Sequence, residues 1–266
     1  MNRRMTRLAS LTAGAALALA AFSPALAADT AMVRVLHASP DAPNVDVFLD
    51  GTKVDALTNV PFKTISGYLS IPAGDHTIKV CANADNTICP IGDTVLNFAT
   101  GTKTTVAATN NLATIEAQVI TDAPAAISDQ TQVRVVHFSS DTPAVDVLTQ
   151  DGATTVVDNL SYPNATGYLA LPAGAYDLKV CADADNSLCP LDPPSLDLSA
   201  GTAYSVFAVG SLTNSTLDAV VAVDQITAPP TDTAPSSNPF LAIALLAAGI
   251  VAIGGAARLA GVTVRR

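Results

Sequence analysis

His37 is followed by Ser39 and Asp41, and His137 by Ser139 and Asp141. These are the residue types of nucleophilic hydrolysis: a base, a hydroxyl and a carboxylate to orient the base. Each set lies within five residues around a proline-containing turn, and no G-x-S-x-G elbow lifts either serine toward a substrate. The reading we adopt is local. The serine and aspartate satisfy turn backbone, as such side chains do, and the histidine ends a strand and bonds the same loop. A hydrolase built on this turn is the third of three functional readings.

A second group of oxygen-bearing side chains could hold a hard cation. Asp183, Asp185 and Asn186, and Asp85 and Asn86 in a matching stretch, resemble the spaced oxygen ligands that calcium takes. An EF-hand loop needs glycine at its sixth position and a distal glutamate. Leu188 stands at the former, and the latter is missing. Asp and Asn are also ordinary turn residues, so these five are candidate ligands only, and no cofactor is expected. Asp46 and Asp146 sit between valines. They are expected to point away from the core, either solvated or paired with Arg34 and Arg134. No H-E-x-x-H, P-loop or G-x-G-x-x-G motif occurs.

Four cysteines fall as Cys81/Cys89 and Cys181/Cys189. Seven intervening residues and no nearby histidine do not suit zinc, which favours closer ligands. In an exported chain the expected connectivity is one disulfide within each pair; pairing between the two sets would need remote edges to meet. Closing so short a loop adds ~2–3 kcal/mol on the chain-entropy account.

These residues recur because the chain is one unit written twice, at an offset of one hundred. Val33-Arg34-Val35-Leu36-His37 matches Val133-Arg134-Val135-Val136-His137, and Lys79-Val80-Cys81-Ala82 matches Lys179-Val180-Cys181-Ala182. One hairpin slips by a residue: Asp50-Gly51 aligns with Asp151-Gly152, and the offset recovers by Asn59 and Asn159. Val33/Val35 and Val45/Val47/Leu49 alternate with other residues, the period of a half-buried strand. Asp50-Gly51 is a hairpin signal, and Pro72-Ala73-Gly74 suits a turn before the next strand. About seven short strands in each unit, with turns every 8–12 residues, predict an all-β fold of two tandem immunoglobulin-like β-sandwich domains. They occupy residues 30–122 and 131–226, joined by a linker at 123–130.

The ends read as targeting segments. Arg3, Arg4 and Arg7, an apolar stretch and Ala25-Leu26-Ala27 compose a signal peptide over residues 1–27. A tether rich in Pro, Thr and Ser follows the second unit at 227–239. Residues 240–260 form a transmembrane helix, its uncharged run from Phe240 to Ala257 reaching ~27 Å at 1.5 Å per residue. A basic cytoplasmic tail, 261–266, sets the orientation. The expected location is the cell membrane, single-pass, with both units outside.

The chain has 266 residues, 13 basic and 23 acidic. Three basic residues lie in the leader and three follow Phe240, so the outward part carries seven against 23, a net −16. Nucleic acid is excluded as a partner because phosphate contacts need clustered Lys and Arg. The absence of Trp and a 5% aromatic content leave little for stacking platforms.

The segments His37-Ala38-Ser39-Pro40-Asp41-Ala42-Pro43-x-Val45-Asp46-Val47 and Tyr68-Leu69-x-Ile71-Pro72-Ala73-Gly74 resemble the domain-of-unknown-function family numbered 4397. The resemblance covers roughly Thr30 to Val223; the second copy departs at Phe138, Ser140 and Thr142. It implies exported or surface-attached modules with β-sandwich character, often in tandem, and no known activity, substrate or catalytic residue. The resulting expectation is a membrane-anchored cell-envelope protein, not an enzyme, with a binding or spacer role. Its partners would be the membrane through the C-terminal helix and an extracellular protein or glycan. The alternative is a calcium- or carbohydrate-dependent adhesion module.

Overall fold

The computed structural model describes residues 29–125 and 130–226. The expected leader, tether, anchor and tail lie outside the described residues. Among those described, no helix is long and apolar enough to cross a membrane, and helical structure is limited to two 3-10 turns, Asp55–Leu57 and Leu112–Thr114.

Unit 1 runs β1 (Thr30–His37), β2 (Val45–Leu49), β3 (Thr52–Lys53), β4 (Leu69–Pro72), β5 (Gly74–Ala82), β6 (Ile91–Phe98), β7 (Lys103–Thr109) and β8 (Glu116–Thr121). Two four-stranded sheets, β4-β1-β7-β8 and β3-β2-β5-β6, share one core made of Val33, Val35, Val45, Val47, Ile78, Val80, Phe98 and Val106 among others. Its strands pair antiparallel except β1 with β7, which run parallel. The predicted Asp50-Gly51 turn has both residues at positive φ, 50° and 78°, the conformation a two-residue hairpin loop requires.

Unit 2 repeats the plan with β9 (Thr131–Phe138), β10 (Val145–Thr149), β11 (Thr155–Leu160), β12 (Leu169–Leu171), β13 (Gly174–Tyr176), β14 (Leu178–Ala182), β15 (Leu196–Leu198), β16 (Thr202–Val209) and β17 (Asp218–Ile226). Its sheet β12-β9-β16-β17 matches the first sheet of unit 1. The second sheet is divided into β11-β10-β14 and β13-β15. The inserted residue in the 150–154 turn lets β11 replace β3 with a longer, bulged partner for β10. The disulfides are Cys81–Cys89 and Cys181–Cys189, one within each unit.

In one respect the strands are more buried than their alternation implies. Val33 and Val35 fill the sandwich, as expected, but Arg34 and Leu36 on the opposite face are also buried, at 1% and 0% exposure. All eight residues of β9 are buried. A strand loses both faces to solvent when a second layer covers its sheet. Here the covering layer is the other unit: Leu36, Ala38 and Ala107 of unit 1 pack with Val136, Phe138, Phe207, Val209 and Ala222 of unit 2.

One backbone position has no latitude. Gly210 has φ +102°, and a Cβ there would lie 2.4 Å from the carbonyl oxygen of Thr216. Gly210→Ala should therefore destabilise the protein by more than ~1 kcal/mol, a loss read as a lower urea midpoint with an unchanged m-value. Asn110 holds the matching place in unit 1 at φ 67°, so Asn110→Gly should be far milder.

Candidate functional site

Contrary to expectation, the Asp46 carboxylate is neither solvated nor paired with Arg34: it is fully buried. β2 pairs with β5 in the register Asp46 opposite Cys81, which sets this side chain beside the disulfide loop. The Asn59 backbone N–H donates to Oδ1 at 2.8 Å, and Asn83 Nδ2 donates to the same oxygen at 2.9 Å. Lys53 Nζ and Asn86 Nδ2 donate to Oδ2 at 2.9 and 2.8 Å. Burial works against the charge, but these four donors outweigh it and hold the carboxyl well below the ordinary carboxylate range.

Unit 2 keeps the carboxylate and changes its company. Asp146 is buried, away from Arg134, and Asn159 N–H still donates to it at 2.8 Å. Residue 183 is aspartate where unit 1 has Asn83, residue 158 is aspartate where it has Thr58, and no lysine stands where Lys53 does. Oxygens of Asp146, Asp158 and Asp183 lie within 4.8 Å of one another. Burial first, and then the charges of Asp146 and Asp158, push the Asp183 carboxyl up. Three hard oxygens in this spacing suit calcium or magnesium in ligand type.

Of the expected calcium ligands, only Asp183 joins this cluster. Asp85 and Asp185 each accept from the backbone N–H and hydroxyl of the residue two ahead, Thr87 and Ser187, at 2.6–2.9 Å. Those bonds lower both carboxyls and close a local turn. Asn86 faces Asp46. The Asn186 backbone carbonyl lies 3.4 Å from the disulfide sulfur of Cys189. Asp158 carries no motif in the sequence; it stands where unit 1 has Thr58, one residue before the Asn159 N–H that bonds Asp146.

The histidines bond their own turns in both units, as expected, but the aspartates reach a loop 71 residues away and neither serine hydroxyl meets turn backbone. His37 Nε2 lies 3.1 Å from the Pro43 carbonyl, and His137 Nε2 3.2 Å from that of Pro143. Burial pushes both imidazoles down, against the opposing effect of those bonds. Asp41 accepts from Leu112 N–H at 2.7 Å. Asp141 accepts from the backbone of Leu212 and Thr213 and from the Ser211 hydroxyl. Burial opposes its charge, but these donors bring the carboxyl down to about 2. Each aspartate thus fastens the first turn of its sandwich to the loop before the last strand. Ser139 Oγ bonds Asp141 and Thr142, and Ser39 Oγ has no partner. In neither unit is a serine hydroxyl hydrogen-bonded to the imidazole.

His76 leaves no trace in the repeat because unit 2 has Tyr176 in its place. Its Nδ1 is 2.6 Å from Asp50 Oδ2 and its Nε2 2.8 Å from the Pro72 carbonyl. Tyr176 makes the equivalent bond to Pro172 through its hydroxyl. The Asp50 bond chiefly raises the His76 pKa. The resulting stability is complete below the unfolded value of about 6.5 and is lost as pH rises through the raised folded value. The chain has three histidines, so imidazole NMR resonances should show one titrating above 6.5 and two below, and His76→Tyr should remove the high one.

Arg34 and Arg134 lie elsewhere, at the junction of the units. Arg34 Nε donates to Thr105 at 2.7 Å, Nη1 to the Val223 carbonyl at 3.3 Å and Nη2 to Asp224 at 2.5 Å. Arg134 mirrors this through Ser205, the Thr121 carbonyl and Asp122. Tyr68 and Thr105 donate to Asp122, while Tyr168 and Ser205 donate to Asp224, all at 2.5–2.6 Å. Burial and the adjoining aspartate raise both tyrosine pKa values, keeping the hydroxyls protonated as donors.

The family model described as "Domain of unknown function (DUF4397)" matches residues 31–148 and 143–235. No curated protein matches the chain. Among solved structures, the C-terminal domain of AlgF from P. aeruginosa is 22% identical, covering 36% of this chain and 99% of that one, with a TM-score of 0.30. Alpha-glucan-recognising family 41 carbohydrate-binding modules from streptococcal virulence factors are 12% identical over 70% and 95%, at 0.23. The Bacillus anthracis TIE protein is 13% identical over 69% and 34%, at 0.20. Likenesses at these scores carry no argument about this chain.

Proposed function

The chain belongs to the family described as Domain of unknown function (DUF4397), and from that premise we propose that it is a membrane-anchored protein of the cell envelope with a non-catalytic binding or spacer role. Its two immunoglobulin-like sandwiches would stand outside the bilayer on the proline-rich tether. The observation that carries the reading is the order of segments: a leader, two β units each with its own disulfide, a tether, an apolar run and a basic tail. Disulfides persist in oxidising compartments, which supports export. The histidines and aspartates that first suggested hydrolysis hold loops together, which favours binding over catalysis. Protease added to intact cells should release a fragment containing both units, still disulfide-bonded on a non-reducing gel. Full protection of the chain in cells whose surface proteins are cleaved would overturn the reading.

A second reading, cation-dependent adhesion, is favoured by the cluster of Asp146, Asp158 and Asp183. Unit 1 neutralises the corresponding carboxylate with Lys53, whereas unit 2 leaves three carboxylates together. A cation bound only by the folded state stabilises by ~2.7 kcal/mol at one hundred times its Kd. Millimolar calcium should therefore raise the melting temperature by several degrees in the full-length protein, and Asp158→Asn should abolish most of the rise. No shift on adding calcium or chelator would exclude this reading.

A further inference from the structure

The junction of the two units has three properties that together imply more than a fixed domain contact. It is reciprocal: each unit supplies one arginine and one aspartate, and each arginine reaches the other unit's aspartate. It is made by side chains: every paired strand lies within one unit, so separating the units breaks no β ladder. Its charges are buried: Arg34, Arg134, Asp122 and Asp224 are all at most 4% exposed, and parting the units takes Arg134 and Asp224 from their ionic partners, while Arg34 keeps only Asp122 of its own unit, 3.5 Å away.

We propose that this surface also joins one copy of the chain to another, with unit 1 of one molecule seated on unit 2 of the second through the same two Arg–Asp bridges. In such an exchanged dimer both junctions are rebuilt and every buried charge recovers its partner. The disulfides do not interfere, since both lie within units. The link at 123–130 has eight residues and can reach up to ~28 Å when extended. Closed monomer and exchanged dimer then differ mainly in concentration terms. A short link gives an effective concentration near millimolar, the level a second copy must match for exchange to compete. The inference deepens the binding role proposed above by naming the partner as a second copy; it does not require the cation reading.

Charge reversal separates closure within a chain from exchange between chains. Arg34→Glu sets a second carboxylate against Asp224, and Asp224→Arg sets a second guanidinium against Arg34, so each variant is mismatched when closed on itself. Exchange between the two variants matches the introduced glutamate with the introduced arginine at one junction and restores Arg34 with Asp224 at the other. Full-length chains carrying two different tags are co-expressed, extracted in detergent and captured by one tag. The Arg34→Glu and Asp224→Arg combination should recover at least tenfold more of the second tag than Arg34→Glu with itself. The double variant Arg34→Glu/Asp224→Arg, able to close alone, should recover no more than wild type. Equal recovery for the matched and mismatched combinations overturns the proposal, and so does a wild-type chain that stays monomeric by sedimentation at millimolar concentration, a measurement that needs no variant to fold. Protease release from intact cells reads topology independently of this result.

Discussion

Two buried arginines, each answered by an aspartate of the other unit, constrain everything else in the molecule. A buried ion pair contributes little net stability compared with apolar packing, because desolvation offsets attraction, but it penalises every arrangement that separates its members. Arg34 and Arg134 each use three nitrogens, with tyrosine, threonine and serine hydroxyls completing the aspartates. The network is satisfied, and its two halves follow from the same repeat. The apolar contacts around it, Leu36 and Ala107 against Val136 and Phe207, supply burial without orientation. The arginines supply orientation. Two sandwiches that composition alone would let move independently are therefore held face to face.

That placement decides which surfaces remain for other work. The sheet β4-β1-β7-β8 and its counterpart face each other, so in the closed chain the loops and the outer sheets are the surfaces left open to solvent. There the units have diverged. Unit 1 neutralises Asp46 with Lys53 and bonds it with two asparagines. Unit 2 accumulates carboxylates around the same strand position. Residues 131–226 contain two basic and eleven acidic side chains against five and nine in residues 30–122. A duplicated module thus carries one electrostatically settled copy and one copy with surplus negative charge.

Much of this architecture could be read from the chain. The hundred-residue offset, the strand alternation, the Asp50-Gly51 hairpin and the spacing of the cysteines are local signals, and local geometry produced what they imply. The errors share a cause. Period-2 alternation says that Arg34 and Val35 face opposite ways; it cannot say whether the second way is water or another sheet. A signal was present. A chain with few basic residues places an arginine inside a valine-rich strand twice, at matching positions, and a charge in such a strand calls for a buried partner. The partners were harder to see because Asp122 and Asp224 are 102 apart rather than 100. The excess lies in the loop before the last strand: Thr109 pairs with Glu116, but Val209 pairs with Asp218. Lys53 has no counterpart to reveal its role, since it lies in the hairpin that takes an extra residue in unit 2, and Asp158 replaces a threonine that makes no such contact in unit 1.

The residues with the most reactive chemistry do architectural work because of where the sandwich needs hydrogen bonds. At the end of β1 the chain leaves the sheet through Pro40 and Pro43, which lack N–H groups, so a carbonyl there needs a side-chain donor. His37 and His137 are those donors, and burial keeps them neutral enough to serve with one ring nitrogen. On the same turn Asp41 and Asp141 face the opposite deficit, loop N–H groups before the last strand with no carbonyl opposite. One turn therefore meets a surplus acceptor with an imidazole and surplus donors with a carboxylate. That pairing of needs accounts for a histidine and an aspartate on the same turn in both copies.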